Sequence, residues 1–316
     1  MTDVTDVARA TTLDPAPPPP AHRRRHHHRG WLATPYLFVA AAVALLLLFT
    51  YVPVVNMFWY SLTDWDGLAK TKDFVGLDNY VEVFTRKDIF EVFFVSLYYF
   101  VASFVQIALA LYFATLLSFS TRFRNFFKGV IFFPYLINGV AIGLIFLFFF
   151  QPGGTLDSVL HALHVGSAPY PLWLGDPDIA NVSLAGVSVW RYLGLNFVLF
   201  LGAIQSIPGE LYEAAELDGA TRWHQFRWII APSIRPIIGL SVILAIAGSL
   251  SVFEIPFIMT SGANGTTTFV IKTVKLAFTF NKFGLASAMA VVLLLIVLLV
   301  TAIQRWVFPD EKGGRA

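Results

Sequence analysis

An all-α membrane protein with six transmembrane helices is the fold class this sequence predicts, and three observations carry that reading. The chain of 316 residues is 57% hydrophobic and only 13% charged, with a mean hydropathy of +0.68. Such values exclude an ordinary soluble domain. The apolar residues fall into six long runs, centred on 34–59, 92–118, 128–150, 184–206, 236–260 and 284–306. Each is long enough to cross about 30 Å of hydrocarbon, where helices are the only open-ended way to satisfy the backbone. Finally, Lys and Arg are twice as many on one side of the predicted spans as on the other, 14 against 7, the bias that the positive-inside rule describes.

Taken in order, residues 1–30 form a separate region. Pro15 and Pro17–Pro20 exclude helix, and Arg23–Arg25, His26–His28 and Arg29 make a basic run. This reads as a disordered cytoplasmic tail ending in a membrane-proximal basic patch. The first apolar run is uncharged from Gly30 to Thr63. It lacks the short core and small-residue cleavage site of a secretory signal, so it is expected to remain as a span. The second run is uncharged from Val92 to Thr121, and the third from Gly129 to Leu156. Gly139 and Gly143 give the third a GxxxG spacing, which permits close helix packing. The fourth carries Arg191, the fifth carries Glu254 followed by Pro256, and the sixth is uncharged from Phe283 to Gln304. The membrane domain therefore runs over 31–308, with a cytoplasmic tail at 309–316. Placing both termini inside assigns 14 of the 22 Lys and Arg to the cytoplasmic side, 7 to the outside and one, Arg191, to a span. That bias predicts cytoplasmic N and C termini.

Between the fourth and fifth runs lies a polar element at 208–232. Pro208 and Gly209 suit a helix start, and Glu210, Glu213 and Glu216 crowd the first turns, where a helix N-terminus favours negative charge. Ala214 and Ala215 leave room for another surface. Asp218-Gly219 then reads as a stop, because glycine accepts the left-handed conformation after a helix. Thr221 caps a second short helix bearing Trp223, Phe226 and Ile230, and Pro232 closes the segment. Two short helices around a fixed glycine read as a docking element.

The run Glu213-Ala-Ala, Asp218-Gly219-Ala220, Phe226 and Pro232 resembles the cytoplasmic EAA loop of binding-protein-dependent ABC importer permeases. The family's usual Leu-Pro is Ala231-Pro232 here. Ser61-Leu-Thr-Asp-Trp-Asp66, Phe74-Val-Gly-Leu-Asp-Asn-Tyr80 and Trp173-Leu-Gly-Asp-Pro177 resemble outer-loop signatures of the family's sugar-uptake branch, and in particular its first, maltose/glycerol-phosphate-type permease. Phe123-Arg124, Pro134-Tyr135 and Ser206-Ile-Pro208 fit the same pattern, so the likeness covers essentially 32–308. After the fifth run the family often has Thr-Gly-Gly-Gly-Pro, where this chain has Thr260-Ser-Gly-Ala-Asn-Gly265.

The resemblance implies a type I ABC importer permease fold and a carbohydrate-importing function. It implies a second homologous permease, two ATPase subunits, an extracytoplasmic sugar-binding protein and the lipid bilayer as partners, with no nucleic acid. It also implies that Glu210, Glu213, Ala214, Ala215, Asp218, Gly219, Ala220 and Phe226 couple this chain to the ATPase. No cofactor is expected in the chain; ATP-Mg belongs to the partner ATPase.

The residues themselves agree with that division of labour. No Walker A sequence and no catalytic constellation is present, and with no cysteine thiol chemistry and Cys-based metal sites are excluded. His161 and His164 have no nearby ligand set and read as solvated, so no metal is expected. Polar residues inside spans are functional candidates by default. Arg191 fits two roles, lining a path or snorkelling outward. Glu254 fits a sugar-hydroxyl acceptor, an interfacial acid or a partner for Arg191. Asn138 and Asn196 fit a cavity wall or interhelical hydrogen bonds, and Trp190 and Tyr192 fit ring stacking or an interfacial belt. Two other functions remain open: import of a non-sugar solute such as a glycerol phosphate ester, and ATP-independent secondary transport.

Overall fold

The computed structural model describes residues 30–119, 123–166 and 169–307. The basic run within 1–29 and the tail at 309–316 lie outside the described residues. Two compact units divide between Pro53 and Val54. The first holds helix α1 (Gly30–Leu46) and a π-helical turn at Leu47–Tyr51, and the boundary falls within α2 (Val52–Tyr60). Pro53 has no N–H to give back and its ring crowds the carbonyl of Phe49, which accounts for the widened turn just before it.

The second unit takes in the rest of α2 and continues into an outer-loop assembly. A two-stranded antiparallel ribbon pairs β1 (Thr63–Asp64) with β2 (Asp73–Phe74), in the register Thr63 to Phe74 and Asp64 to Asp73. Asp66 Oδ1 accepts from the N–H groups of Leu68 and Ala69. Those bonds, Ala69's first, hold its carboxyl below the usual range. Helices α3 (Asp78–Thr85) and α4 (Lys87–Phe90) follow. Buried Asn79 donates through Nδ2 to Ser61 O at 3.0 Å and Thr63 O at 2.9 Å, tying α3 to the ribbon. Two of the segments singled out in the sequence thus hold each other.

Among the described residues five helices are long and apolar enough to cross a membrane: Val39–Tyr60, Lys87–Ser118, Pro177–Gln205, Arg235–Thr260 and Phe283–Ile303. The second contains α5 (Val92–Ser118). The third apolar run is not one straight helix. It splits into α6 (Arg124–Leu136) and α7 (Gly139–Phe149), bent by 97°. Ile137 is extended, and Asn138 caps α7 by accepting from Val140 N–H. Counting the bent pair as one span gives six. Helix α8 (Thr155–Ala162) lies in the following loop. Asp176 caps and Pro177 opens α9 (Pro177–Gln205), as a helix start requires.

Helix α9 packs along α5, on which Ala110 and Ala114 are fully buried and allow close approach. It also packs closely on α6: a side chain at Gly194 would meet the backbone of Ile131 and Phe132 at 2.8 and 2.9 Å. The 208–232 element comprises α10 (Gly209–Leu217), α11 (Arg222–Gln225), a π-helical turn at Phe226–Ile230 and α12 (Ala231–Ser233). The fifth span is α13 (Arg235–Leu250) and α14 (Glu254–Thr260), interrupted at Ser251–Phe253. Helix α15 (Phe269–Phe278) then packs on α16 (Phe283–Val307).

Candidate functional site

The 208–232 element is built around one glycine. Gly219 N–H donates to Glu216 O at 3.0 Å and Ala220 N–H to Ala215 O at 2.9 Å. This is the Schellman arrangement, and it requires the left-handed backbone of Gly219, φ +74°. Thr221 caps α11 and exchanges hydrogen bonds with His224 in a capping box. The underside is anchored: half-buried Tyr212 and Phe226 pack against buried Ile230, Phe200 and Ile204. Burial pushes the Tyr212 phenol above its ordinary pKa. Trp223 stacks on Phe226 at 5.5 Å, and the Arg222 guanidinium lies 5.1 Å from the Phe119 ring.

The opposite side is open. Glu210, Glu213, Ala214, Glu216, Leu217, Asp218 and Gly219 are exposed, Leu217 by 90%, and Ala215 and Ala220 are half-buried. None of the four acids has an ion-pair partner among the described residues. A side chain at Gly219 would meet nothing within 4 Å.

Within the spans lies a cavity of about 420 Å³, walled by α5, α9 and the α13–α14 junction. Its polar wall groups are Tyr99, Ser103 and Gln106 from α5; Ser188, Tyr192 and Asn196 from α9; and Ser249, Ser251 and Glu254. At its edge Arg191 Nη1 donates to Glu254 Oε2 at 2.6 Å, with side chains 13% and 39% exposed. The pair rests on bare backbone: a Cβ at Gly139 would stand 2.0 Å from Glu254 Oε2 and 2.2 Å from Arg191 Nη1. The carboxylate also sits at the N-terminus of α7, where the helix dipole favours it. Gly143, one turn on, admits Ile258 of α14. The GxxxG pair is therefore a helix contact inside this chain.

The sequence-derived path residues divide. Asn196 and Glu254 stand on the wall and Arg191 stands behind it. Trp190 packs instead against Phe146, with ring centroids 5.2 Å apart. Asn138 caps α7 and is not on the wall. The wall residues Tyr99, Ser103, Gln106, Ser188, Ser249 and Ser251 were missed. Their signal was polarity inside apolar runs, which single serines hide by bonding their own helix.

Spans, cavity and exposed element together define a membrane transport component. Residues 106–312 match the family described as binding-protein-dependent transport system inner membrane component, and the chain belongs to that family. It is 36% identical over 284 residues to the probable ABC transporter permease protein YurN of Bacillus subtilis (strain 168), covering 88% of this chain and 97% of that one. It is 29% identical over 272 residues to AmyD of Thermoanaerobacterium thermosulfurigenes, a probable starch degradation products transport system permease protein, covering 85% and 91%. The fold is that of a chain in the bacterial alginate ABC transporter crystallised with its alginate pentasaccharide-bound periplasmic protein: TM-score 0.75, 21% identity, 89% of this chain and 96% of that one. The protein is thus a multi-pass component of the bacterial inner membrane.

Proposed function

We propose that this chain is a permease subunit of an ATP-driven carbohydrate importer. It pairs with a second, homologous permease to enclose the path. Two ATPase subunits holding ATP-Mg dock on the cytoplasmic side, one of them on the 208–232 element, and an extracytoplasmic binding protein delivers the sugar. Both termini are cytoplasmic. ATP binding closes the ATPase pair, and the 208–232 element carries that motion into the spans, turning the path from inward- to outward-facing.

One observation carries the reading. The helix that walls the cavity, α9, ends only four residues before the exposed acids of α10 begin. Nine residues separate Asn196 from Gln205, about 14 Å at the helical rise. A displacement at the docking face therefore reaches the cavity through a single rigid element. The starch-product transport named for AmyD supports the substrate class.

The test is Gly219→Asp. Open space at this position lets the new carboxylate project toward a docked partner without a clash, and Asp, like Asn, enters the left-handed backbone of this turn (φ +74°) at less cost than other side chains. Sugar uptake is expected to fall to background, with the chain still in the membrane and its ATPase lost on detergent purification. Normal uptake by this variant would refute the coupling role.

A further inference from the structure

Resting on the importer reading, we infer that the cavity is selective by charge: it accepts neutral, hydroxyl-rich solutes and rejects acidic or phosphorylated ones. Among the described residues its wall carries no Lys, Arg or His. The one charged group on it is the carboxylate of Glu254. The nearby cation, Arg191, stands behind the wall, where its Nη1 donates to Glu254 Oε2 and its Nε is buried without a partner. An incoming phosphate or carboxylate thus meets a like charge on a wall that itself carries no cation, in surroundings that are mainly apolar. Burying an unpaired charge there is costly.

The neutral groups point the same way. Three wall serines have given their protons to their own helices: Ser103 to Phe100 O at 2.7 Å, Ser188 to Leu184 O at 3.2 Å and Ser249 to Ile246 O at 2.8 Å. They present lone pairs, as does the second oxygen of Glu254. A hydroxyl supplies the protons such acceptors need; an ionised acid supplies none. Gln106 keeps one N–H after donating to Tyr192 O at 2.8 Å, and the Tyr99 hydroxyl is buried without a partner. Those donors match the oxygen lone pairs of a polyol. Tyr99 and Tyr192 both line the cavity, the Tyr192 ring with the Arg191 guanidinium 5.1 Å from its centroid.

The experiment uses the purified importer complex in nanodiscs, without binding protein, and saturation-transfer NMR at millimolar ligand. The probes are glucose, maltose, glucuronate and glucose 6-phosphate. The neutral probes are expected to bind at least about tenfold better than the two anions, the size of one unmet buried polar group. Ser251→Lys places a cation on the wall at a position whose side chain makes no contact with the Arg191–Glu254 pair; it is expected to raise glucuronate relative to glucose by about tenfold, the worth of a charge-assisted bond. Glu254→Gln should shift the same ratio in the same direction. Equal binding of glucose and glucuronate in the unmodified complex, or a ratio unmoved by Ser251→Lys, overturns the charge selectivity and leaves the carbohydrate reading standing. No binding of any probe overturns both.

Discussion

At the scale of single residues, Gly139 sets the geometry of the charged pair. Any side chain there would occupy the space of Glu254 Oε2 and Arg191 Nη1. Both are tips of flexible side chains, so the pair would yield before the helices do. Gly139→Val is expected to destabilise the protein by about 1–3 kcal/mol, the usual cost of overpacking, as read by thermal melting in detergent. Because the damage passes through the ion pair, Gly139→Val and Glu254→Gln together should cost clearly less than the sum of the two singles. Strict additivity would show that Gly139 acts on something other than the pair. Arg191 and Glu254 were each visible in the sequence as polar residues in apolar runs. Their pairing was only one of several open roles, since 63 residues separate them. Which groups face the cavity depends on helix rotation, which a uniformly apolar run does not reveal.

At the scale of elements, the 208–232 segment was the most legible part of the chain. Helix stops, caps and left-handed turns have narrow chemical requirements, and Asp218, Gly219, Thr221 and Pro232 meet them in order. The cost of a substitution at Gly219 follows from φ +74°. Ala should lose about 1–2 kcal/mol of local stability, the left-handed penalty, whereas Asn should lose less because it tolerates that region. Protease nicking of the loop is therefore expected to rise in the order Gly, Asn, Ala; the reverse order for Asn and Ala would remove backbone conformation as the reason for this glycine. The bend at Ile137–Asn138 was not read, although Pro134 and the Asn138-Gly139 pair were in plain sight. Amid so many apolar neighbours, a break and a tolerated polar residue have the same sequence signature.

For the whole molecule, the six apolar runs and the helical class followed from composition and run length alone, because lipid leaves the backbone so few options. The outer-loop segments were recognisable as a pattern, yet their mutual hydrogen bonding through Asn79 needed the fold. If an ATPase docks on the 208–232 element as proposed, assembly draws in part on the four acids that have no ion-pair partner among the described residues. Raising salt from about 0.1 M to 1 M shortens the Debye length from about 10 Å to 3 Å, and the ATPase recovered with this chain is expected to fall accordingly. Glu213→Gln with Glu216→Gln should flatten that salt dependence, as measured by quantitative co-purification. Recovery independent of salt would mean that Leu217 and its apolar neighbours alone hold the partner.

The bend in the third span has a further consequence when set beside the interruption in the fifth. The helical ladder of α6 closes with Ile137 N–H on Pro134 O, and that of α7 starts afresh from Asn138 O. The ladder of α13 likewise closes at Ser251, before α14 takes up its own from Phe253 O. Helices α7 and α14, pressed together through Gly139 and Gly143, are thus carried on two knuckles of the backbone. Turning at those knuckles would unwind no helix; it would have to break the side-chain contacts around the slab and the bond that Thr268 Oγ1 donates to Val252 O at 2.7 Å, which ties down the second knuckle.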